Sequence, residues 1–160
     1  MPDAPRLRAF VERVKQSAEL TRDSLTVFVA TRLVNPTNER SHWAVRARRV
    51  KVQRETAAVS VHVALSRLVT ATSVYGSESD LWNTPAERPK YITFTAYVAR
   101  KFDTDGLQAA CKSIRDGLQD CGLIHSDGPD SGHIFEYHQL IDRTRRGVEI
   151  AIRLRDKEVR

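Results

Sequence analysis

A strand pattern that leads into an amphipathic helix occupies the middle of the chain and restricts the folds open to it. Residues 91–98 are rich in β-branched and aromatic side chains, which predicts a β-strand. Residues 106–119 carry apolar side chains at spacings of three and four, which predicts a helix with one buried face. Gly122 is suited to end that helix. The chain therefore requires a fold that combines a sheet with helices.

The remaining segments extend this pattern to a complete domain. Helices are predicted at residues 6–20 and 41–69, strands at 25–30, 133–142 and 147–154, and a polar loop at 76–89. Alternating valines at 59–63 also fit a strand. Arg145, Arg146 and Gly147 are predicted to form the turn of a hairpin between the last two strands. We expect an α+β domain with a mixed, mostly antiparallel sheet packed with helices. In this interpretation residues 1–24 are an N-terminal helical extension and 25–160 are the main domain.

The chain is basic and has the length of one domain. It has 160 residues, a formal net charge of +6 and a pI near 9.7. This charge suggests binding to the phosphate backbone of a nucleic acid, although a basic surface can also serve solubility alone. There is no run of the roughly 20 apolar residues that crosses a bilayer, and no signal-peptide core at the N-terminus. We therefore expect a cytoplasmic protein with no membrane partner.

Several enzyme classes are not indicated by the sequence. Cys111 and Cys121 are too few for a disulfide framework or a cysteine zinc site. His125, Ser126 and Asp127 are adjacent in sequence, which rarely gives the geometry of a hydrolase triad. The chain also has no phosphate-binding loop of the nucleotide-hydrolysing type.

Three acidic residues near the predicted helix suggest a metal site. Asp103 and Asp105 are two positions apart, so an extended segment would direct both carboxylates to the same side. Asp127 follows the helix. Magnesium prefers oxygen ligands and can activate a water molecule for phosphodiester cleavage. The alternative is structural: Asp105 is a good N-cap, Asp103 would favour the positive end of the helix dipole, and Asp127 can be a turn residue.

A basic segment precedes the acidic residues in the chain. Its five cations are Arg46, Arg48, Arg49, Lys51 and Arg54. Such a segment is typical of phosphate contacts that do not depend on base sequence, and the alternative is a solvated helix face. His42 and Trp43 could stack on an exposed base, but for Trp43 we favour a place in the core. Arg145 and Arg146 offer a second phosphate contact.

Together these motifs resemble the RusA-type Holliday junction resolvases, a family of endodeoxyribonucleases. That family has a turn of the form P-x-S-x-N-x-x-Y, then D-x-D-N-x-x-K-x-x-x-D-x-L, an acidic pair and a closing strand that contains glycine. Residues 35–38, which end at Asn38, are similar to the turn. Residues 103–108 and 112–118 are similar to the two halves of the second motif. Ser126-Asp127 and residues 147–152 stand in for the last two elements, so the resemblance spans about residues 25 to 154.

The resemblance implies a homodimer that binds four-way DNA junctions and cuts them symmetrically with Mg²⁺, for which Mn²⁺ can substitute. It implies that Asp103, Asp105 and Asp127 hold the metal. It also implies that Lys112 is the basic catalytic residue and that Asn38 contacts DNA.

Three positions depart from the family pattern. The family lysine lies four residues after the second aspartate, where this chain has Ala109, and Lys112 comes three residues later. Gly106 stands where the family has asparagine, and Ser126 replaces the first acid of the pair. A DNA-binding dimer that has lost cleavage is therefore the alternative function, and a basic scaffold with no nucleic-acid role is a third.

Overall fold

The fold is known from a computed structural model, which describes residues 9, 12–13, 18–20, 24–36, 39–75 and 85–155. The strands are β1 (Glu19–Leu20), β2 (Ser24–Val29), β3 (Lys90–Val98), β4 (Ile134–Ile141) and β5 (Gly147–Leu154). The helices are α1 (Trp43–Tyr75) and α2 (Thr104–Asp120), and Pro129–Ser131 form a short 3-10 turn. No helix among the described residues has both the length and the apolar character needed to cross a membrane.

The five strands form one mixed sheet in the order β1-β2-β5-β3-β4. Only β3 and β4 pair in parallel, and helix α2 forms the crossover connection between them. The other three pairings are antiparallel. Phe94 in β3 lies opposite Tyr137 on one side and Ile150 on the other. The prediction of an α+β domain with a mixed, mostly antiparallel sheet is confirmed.

The predicted hairpin between the last two strands is wrong. Strands β4 and β5 are not neighbours, because β3 lies between them and pairs with both. The connection between them crosses the end of β3, where the Asp142 amide donates to the Val98 carbonyl at 2.9 Å. Adjacent strand patterns in a sequence predict a hairpin only when no third strand competes for the edge. Here β3 competes successfully, since its alternate residues are buried along its whole length.

One core joins the sheet to both helices. Side chains from β2, β3 and β5 point alternately into it, as shown by fully buried Val27, Phe94 and Ile150. Helix α1 is continuous through residues 59–63, so the alternating valines there are helical. The two helices cross closely at Gly117, where a β-carbon would lie 2.5 Å from the Arg54 carbonyl oxygen. Glycine is required at this crossing because any side chain would force the helices apart.

The N-terminal prediction is only partly covered by the described residues. Ala9, Glu12 and Arg13 are helical. Glu19 and Leu20, which the helix pattern included, instead pair with β2 as the edge strand β1. The remainder of the 1–24 extension lies outside the described residues, as does most of the 76–89 loop.

Candidate active site

The topology brings the predicted site residues Asp103, Asp105 and Arg146 to one edge of the sheet. Strands β2, β3 and β4 all run in the same direction, and β5 runs opposite to them. The segments after β2 and β3 therefore meet the β4–β5 connection at one end, which we call the carboxyl edge (residues 30–36, 99–105 and 142–146). Helices α1 and α2 follow β2 and β3, so both begin on this side. In open α/β sheets, ligands bind outside the carboxyl ends of the strands.

Asp103 and Asp105 lie at the start of α2, at this edge. Asp103 is the N-cap residue: its backbone is extended, and its Oδ1 accepts from the Gly106 amide at 2.9 Å. The expectation that Asp105 would be the cap is wrong, because Asp105 is already inside the first helical turn. The expectation that an extended segment directs both carboxylates to the same side is wrong for the same reason, since only Asp103 is extended. Both residues are exposed. Because the capping hydrogen bond uses only Oδ1 of Asp103, the residue can cap the helix and still bind a metal through Oδ2.

Asn35 is a neighbour of Asp103 that the sequence did not single out as a functional residue. Its Nδ2 lies 3.5 Å from Asp103 Oδ1. A β-carbon on Gly106 would lie only 2.9 Å from Asn35 Cγ. A side chain at position 106 would displace both the Asp103 carboxylate and the Asn35 amide, so glycine makes room for the two together.

A basic cleft opens beside the acidic pair. It has a volume of about 340 Å³, and its walls come from the segments after β2 and β3 and from the residue before β5. Arg32, Arg100 and Arg146 contribute its cations. A smaller depression, lined by Asn35, Arg100, Lys101, Phe102 and Asp103, continues from it. Arg146 was predicted as a phosphate contact, whereas Arg32 and Arg100 were missed, although Arg100-Lys101 stands directly before the acidic motif.

The predicted basic segment of α1 is largely paired with acids. Arg49 pairs with Glu39 and lowers the pKa of that carboxyl, and Arg54 pairs with Asp120 with the same effect on its pKa. The other three cations of the segment are exposed: Arg46, Arg48 and Lys51, the last 3.8 Å from Glu55. Their DNA-binding role stays a prediction, and Asn38 lies outside the described residues.

Lys112 and Asp127 lie together, farther along α2. Asp127 Oδ2 is 2.8 Å from Arg115 Nη2 and 3.9 Å from Lys112 Nζ, and Lys112 is 3.6 Å from Asp116. Among the described residues, no three His, Cys, Asp or Glu side chains form a group that could hold a metal ion. The described side chains thus do not support a three-carboxylate site that includes Asp127.

Lys112 and Ala109 line the same groove between α1 and α2, together with Arg49. Lys112 is seven residues beyond Asp105, which corresponds to about 10 Å along the helix axis. Lys112 therefore faces the same groove as Ala109.

Trp43 is not a core residue, contrary to the interpretation that placed it there. Its exposed fraction is 68%, and its ring lies 5.6 Å from that of His42. The first turns of α1 extend beyond the core, which explains the exposure: residues 43–48 are all exposed. Both rings are thus accessible for stacking.

Arg145 and Arg146 differ in their surroundings. The Arg145 guanidinium lies over the rings of Phe28 and Tyr97, 4.2 and 4.0 Å from their centroids, and pairs with Glu149 at 3.2 Å. Arg146 lines the basic cleft. Of the two, Arg146 is the better placed for phosphate.

Comparison with known proteins assigns no family. No family model matches the chain, and no curated protein matches it. A crystal structure of the protein Atu1372 from Agrobacterium tumefaciens, whose function is unknown, is similar over 95% of this chain and 99% of that chain, with 14% identity and a TM-score of 0.40.

Proposed function

We propose that this protein is a magnesium-dependent, structure-selective endodeoxyribonuclease of the RusA type, which resolves four-way DNA junctions in recombination and repair. The observation that carries the proposal is the position of Asp103 and Asp105 at the carboxyl edge, where Asp103 lines a depression that continues from a cleft lined by three arginines. Exposed carboxylates suit a divalent cation, and adjacent arginines suit the phosphates of a DNA backbone. We expect it to act in the cytoplasm.

Asp103 and Asp105 fit a magnesium ion that the substrate helps to ligate. Mg²⁺ usually takes one or two protein carboxylates and completes its shell with water and substrate phosphate oxygens. Asp103 and Asp105 are both exposed and supply two carboxylates at the start of α2, and Mn²⁺ accepts the same oxygen donors. When bound, the ion would supply an activated water for attack on phosphorus and would stabilise the leaving oxygen.

The surrounding residues have separate roles in this proposal. The Gly106 amide and Asn35 orient Asp103. Arg32, Arg100 and Arg146 bind the phosphate backbone. Lys112 stabilises charge that develops on the phosphate during cleavage, and Asp127 and Asp116 hold its ammonium group.

The alternative function is a DNA-binding protein that does not cleave. Ala109, in place of the family lysine, favours it. The presence of Lys112 in the same groove favours the nuclease.

A second copy of the chain is the protein partner that we propose. Val45, Val52 and Val59 recur every seventh residue on one face of α1 and are 58%, 52% and 41% exposed. We call them the valine stripe. Two antiparallel α1 helices centred on Val52 would bring Val45 of one copy against Val59 of the other. The same arrangement brings Arg48 of each copy within one residue of the other copy's Glu55, so the surface is complementary to itself in charge.

Cleavage of a labelled synthetic four-way junction in Mg²⁺ tests the nuclease. We expect paired symmetric nicks from the wild type, none from Asp105→Asn, and unchanged nicking by Asp130→Asn, an exposed acid in the 3-10 turn between α2 and β4. Tight junction binding without nicks in every variant would establish the non-cleaving function instead. Absence of both binding and nicking would reject both.

A further inference from the structure

We infer that the arginine cleft is a subsite for one unpaired DNA strand, and that it is the feature by which the protein selects branched DNA. The inference rests on the proposed function for the identity of its ligand. It concerns a different group of residues from the acidic pair: Arg32, Arg100 and Arg146.

The topology of the sheet creates the cleft. Strand β5 lies between β2 and β3 but begins at Gly147, at the carboxyl edge. The chain reaches Gly147 from β4 by crossing the end of β3, whereas β2 and β3 lead directly into the segments 30–35 and 99–102. A gap therefore remains above the start of β5, with those two segments as its walls and Arg146 at its base.

Each of the three segments that carry an arginine is fixed by hydrogen bonds from a side chain. Gln53, which is buried, donates to the Arg32 carbonyl at 2.7 Å and accepts from Ser113 at 2.7 Å. Gln139 bonds both the amide and the carbonyl of Phe102, at 2.9 and 2.8 Å.

The third segment is held by Asp142, whose carboxylate accepts from the amides of Thr144 and Arg145 at 2.7 and 2.9 Å. The backbones that present the cations are thus ordered before any ligand arrives, which lowers the entropic cost of binding.

The charge of the cleft is not matched by an acid among the described residues. Within the ranges that the structure describes, no carboxylate forms an ion pair with Arg32, Arg100 or Arg146. Arg49, Arg54, Arg115 and Arg145, by contrast, each pair with an acid. Three exposed guanidinium groups around one concave site suit an external anion, and a phosphodiester accepts hydrogen bonds from such groups.

The size of the cleft determines which form of DNA can enter it. Its 340 Å³ is near the lower end of the range of about 300–1,000 Å³ for small-ligand pockets. A duplex, whose major groove alone is about 12 Å wide, does not fit. A single backbone with its sugar does, and the half-buried rings of Tyr97 and Phe102 provide an apolar wall for sugar or base.

The cleft also leads to the acidic pair. Asn35, Arg100 and Phe102 line both the cleft and the depression at Asp103. A strand held by the arginines would therefore continue past Asp103. At the branch point of a junction a strand leaves one duplex arm for another, so a subsite that admits one strand away from its duplex positions the acids at the branch.

Binding in EDTA tests the subsite separately from cleavage. Fluorescence anisotropy is measured with a labelled thymidine oligonucleotide, a four-way junction and a linear duplex over a series of salt concentrations. We expect Arg32→Gln, Arg100→Gln and Arg146→Gln each to weaken oligonucleotide and junction binding by about tenfold and to reduce the salt slope by about 0.7. Duplex binding should change less than twofold.

Arg143→Gln is the matched control, because Arg143 is exposed in the same connection but does not line the cleft. We expect it to bind all three probes like the wild type. Equal losses of affinity for duplex and oligonucleotide, or a loss of the same size in Arg143→Gln, would show a general basic surface and overturn the inference. Unchanged affinity in all three cleft variants would also overturn it. If the wild type binds as expected but does not cleave, the nuclease proposal is rejected and the subsite is still supported. Equal melting temperatures establish that the variants are folded.

Discussion

The side-chain amide of Asn35 occupies the space that a β-carbon on residue 106 would need. Asn35 Cγ would lie 2.9 Å from such an atom, and Asn35 Nδ2 lies 3.5 Å from Asp103 Oδ1. An amide thus reaches the Asp103 carboxylate from the segment after β2, and glycine at position 106 leaves the room that this contact needs.

We expect Gly106→Ala to reduce junction cleavage by at least about tenfold, because the new methyl group displaces both Asn35 and the Asp103 carboxylate. The Mg²⁺ concentration for half-maximal cleavage should rise with it. Gly128→Ala is the control, since a β-carbon there meets its nearest neighbour, Ser126 Oγ, at 3.4 Å. Asn35→Ala removes the amide but keeps Gly106, so cleavage should fall while the cap hydrogen bond from the Gly106 amide to Asp103 is retained. Unchanged cleavage in Asn35→Ala, with normal folding, would show that Asn35 does not act through Asp103.

Asp127→Asn separates the two roles available to that acid. If Asp127 positions Lys112 and Arg115, as their distances of 3.9 and 2.8 Å indicate, cleavage should fall by about tenfold while the Mg²⁺ requirement stays unchanged. Asp105→Asn, by contrast, should abolish cleavage at all Mg²⁺ concentrations. A strong rise in the Mg²⁺ requirement of Asp127→Asn would instead make Asp127 a metal ligand.

Exchange of charges beside the valine stripe tests the proposed dimer. Arg48→Glu should produce monomers in light scattering, because it sets two acids against each other in each of two symmetric contacts. The reversed pair Arg48→Glu, Glu55→Arg should restore the dimer. Wild-type monomers at micromolar concentration, or dimers in all variants, would rule out this interface.

Local patterns in the sequence predicted most of the fold. The apolar spacing of α2 and the β-branched run of β3 determine their own structure, so both elements are found close to their predicted bounds. The pairing of β3 between β4 and β5 depends on competition among strands distant in sequence. Nothing within residues 133–154 encodes that outcome, and for this reason the hairpin prediction failed.

The same distinction applies to the candidate site. Asp103 and Asp105 could be found because they share a short motif. Arg32 and Asn35 reach them from a segment about 70 positions earlier, and only the parallel direction of β2 and β3 brings them to the same edge. Trp43 was assigned to the core on its residue type, whereas its exposure follows from how far α1 extends past the sheet.

The buried imidazole of His133 should make stability depend on pH. Burial, with the nearby charges of Lys90 and His125, lowers the pKa of His133 from 6.5 to about 4. Its Nδ1 accepts from the Lys90 amide at 3.3 Å, so the ring is neutral in the folded protein. Between pH 6.5 and 4 the unfolded chain binds a proton that the folded chain does not. The free energy of unfolding therefore falls as the pH falls through this range.

We expect the melting temperature to drop by several degrees between pH 7 and pH 5. Acids with lowered pKa values, such as Asp120 and Asp142, remain ionised at pH 5 and do not contribute. His133→Asn retains an acceptor for the Lys90 amide and cannot titrate, so its melting temperature should change much less over the same interval, whatever its absolute stability. The same pH dependence in His133→Asn and the wild type would show that another group is responsible.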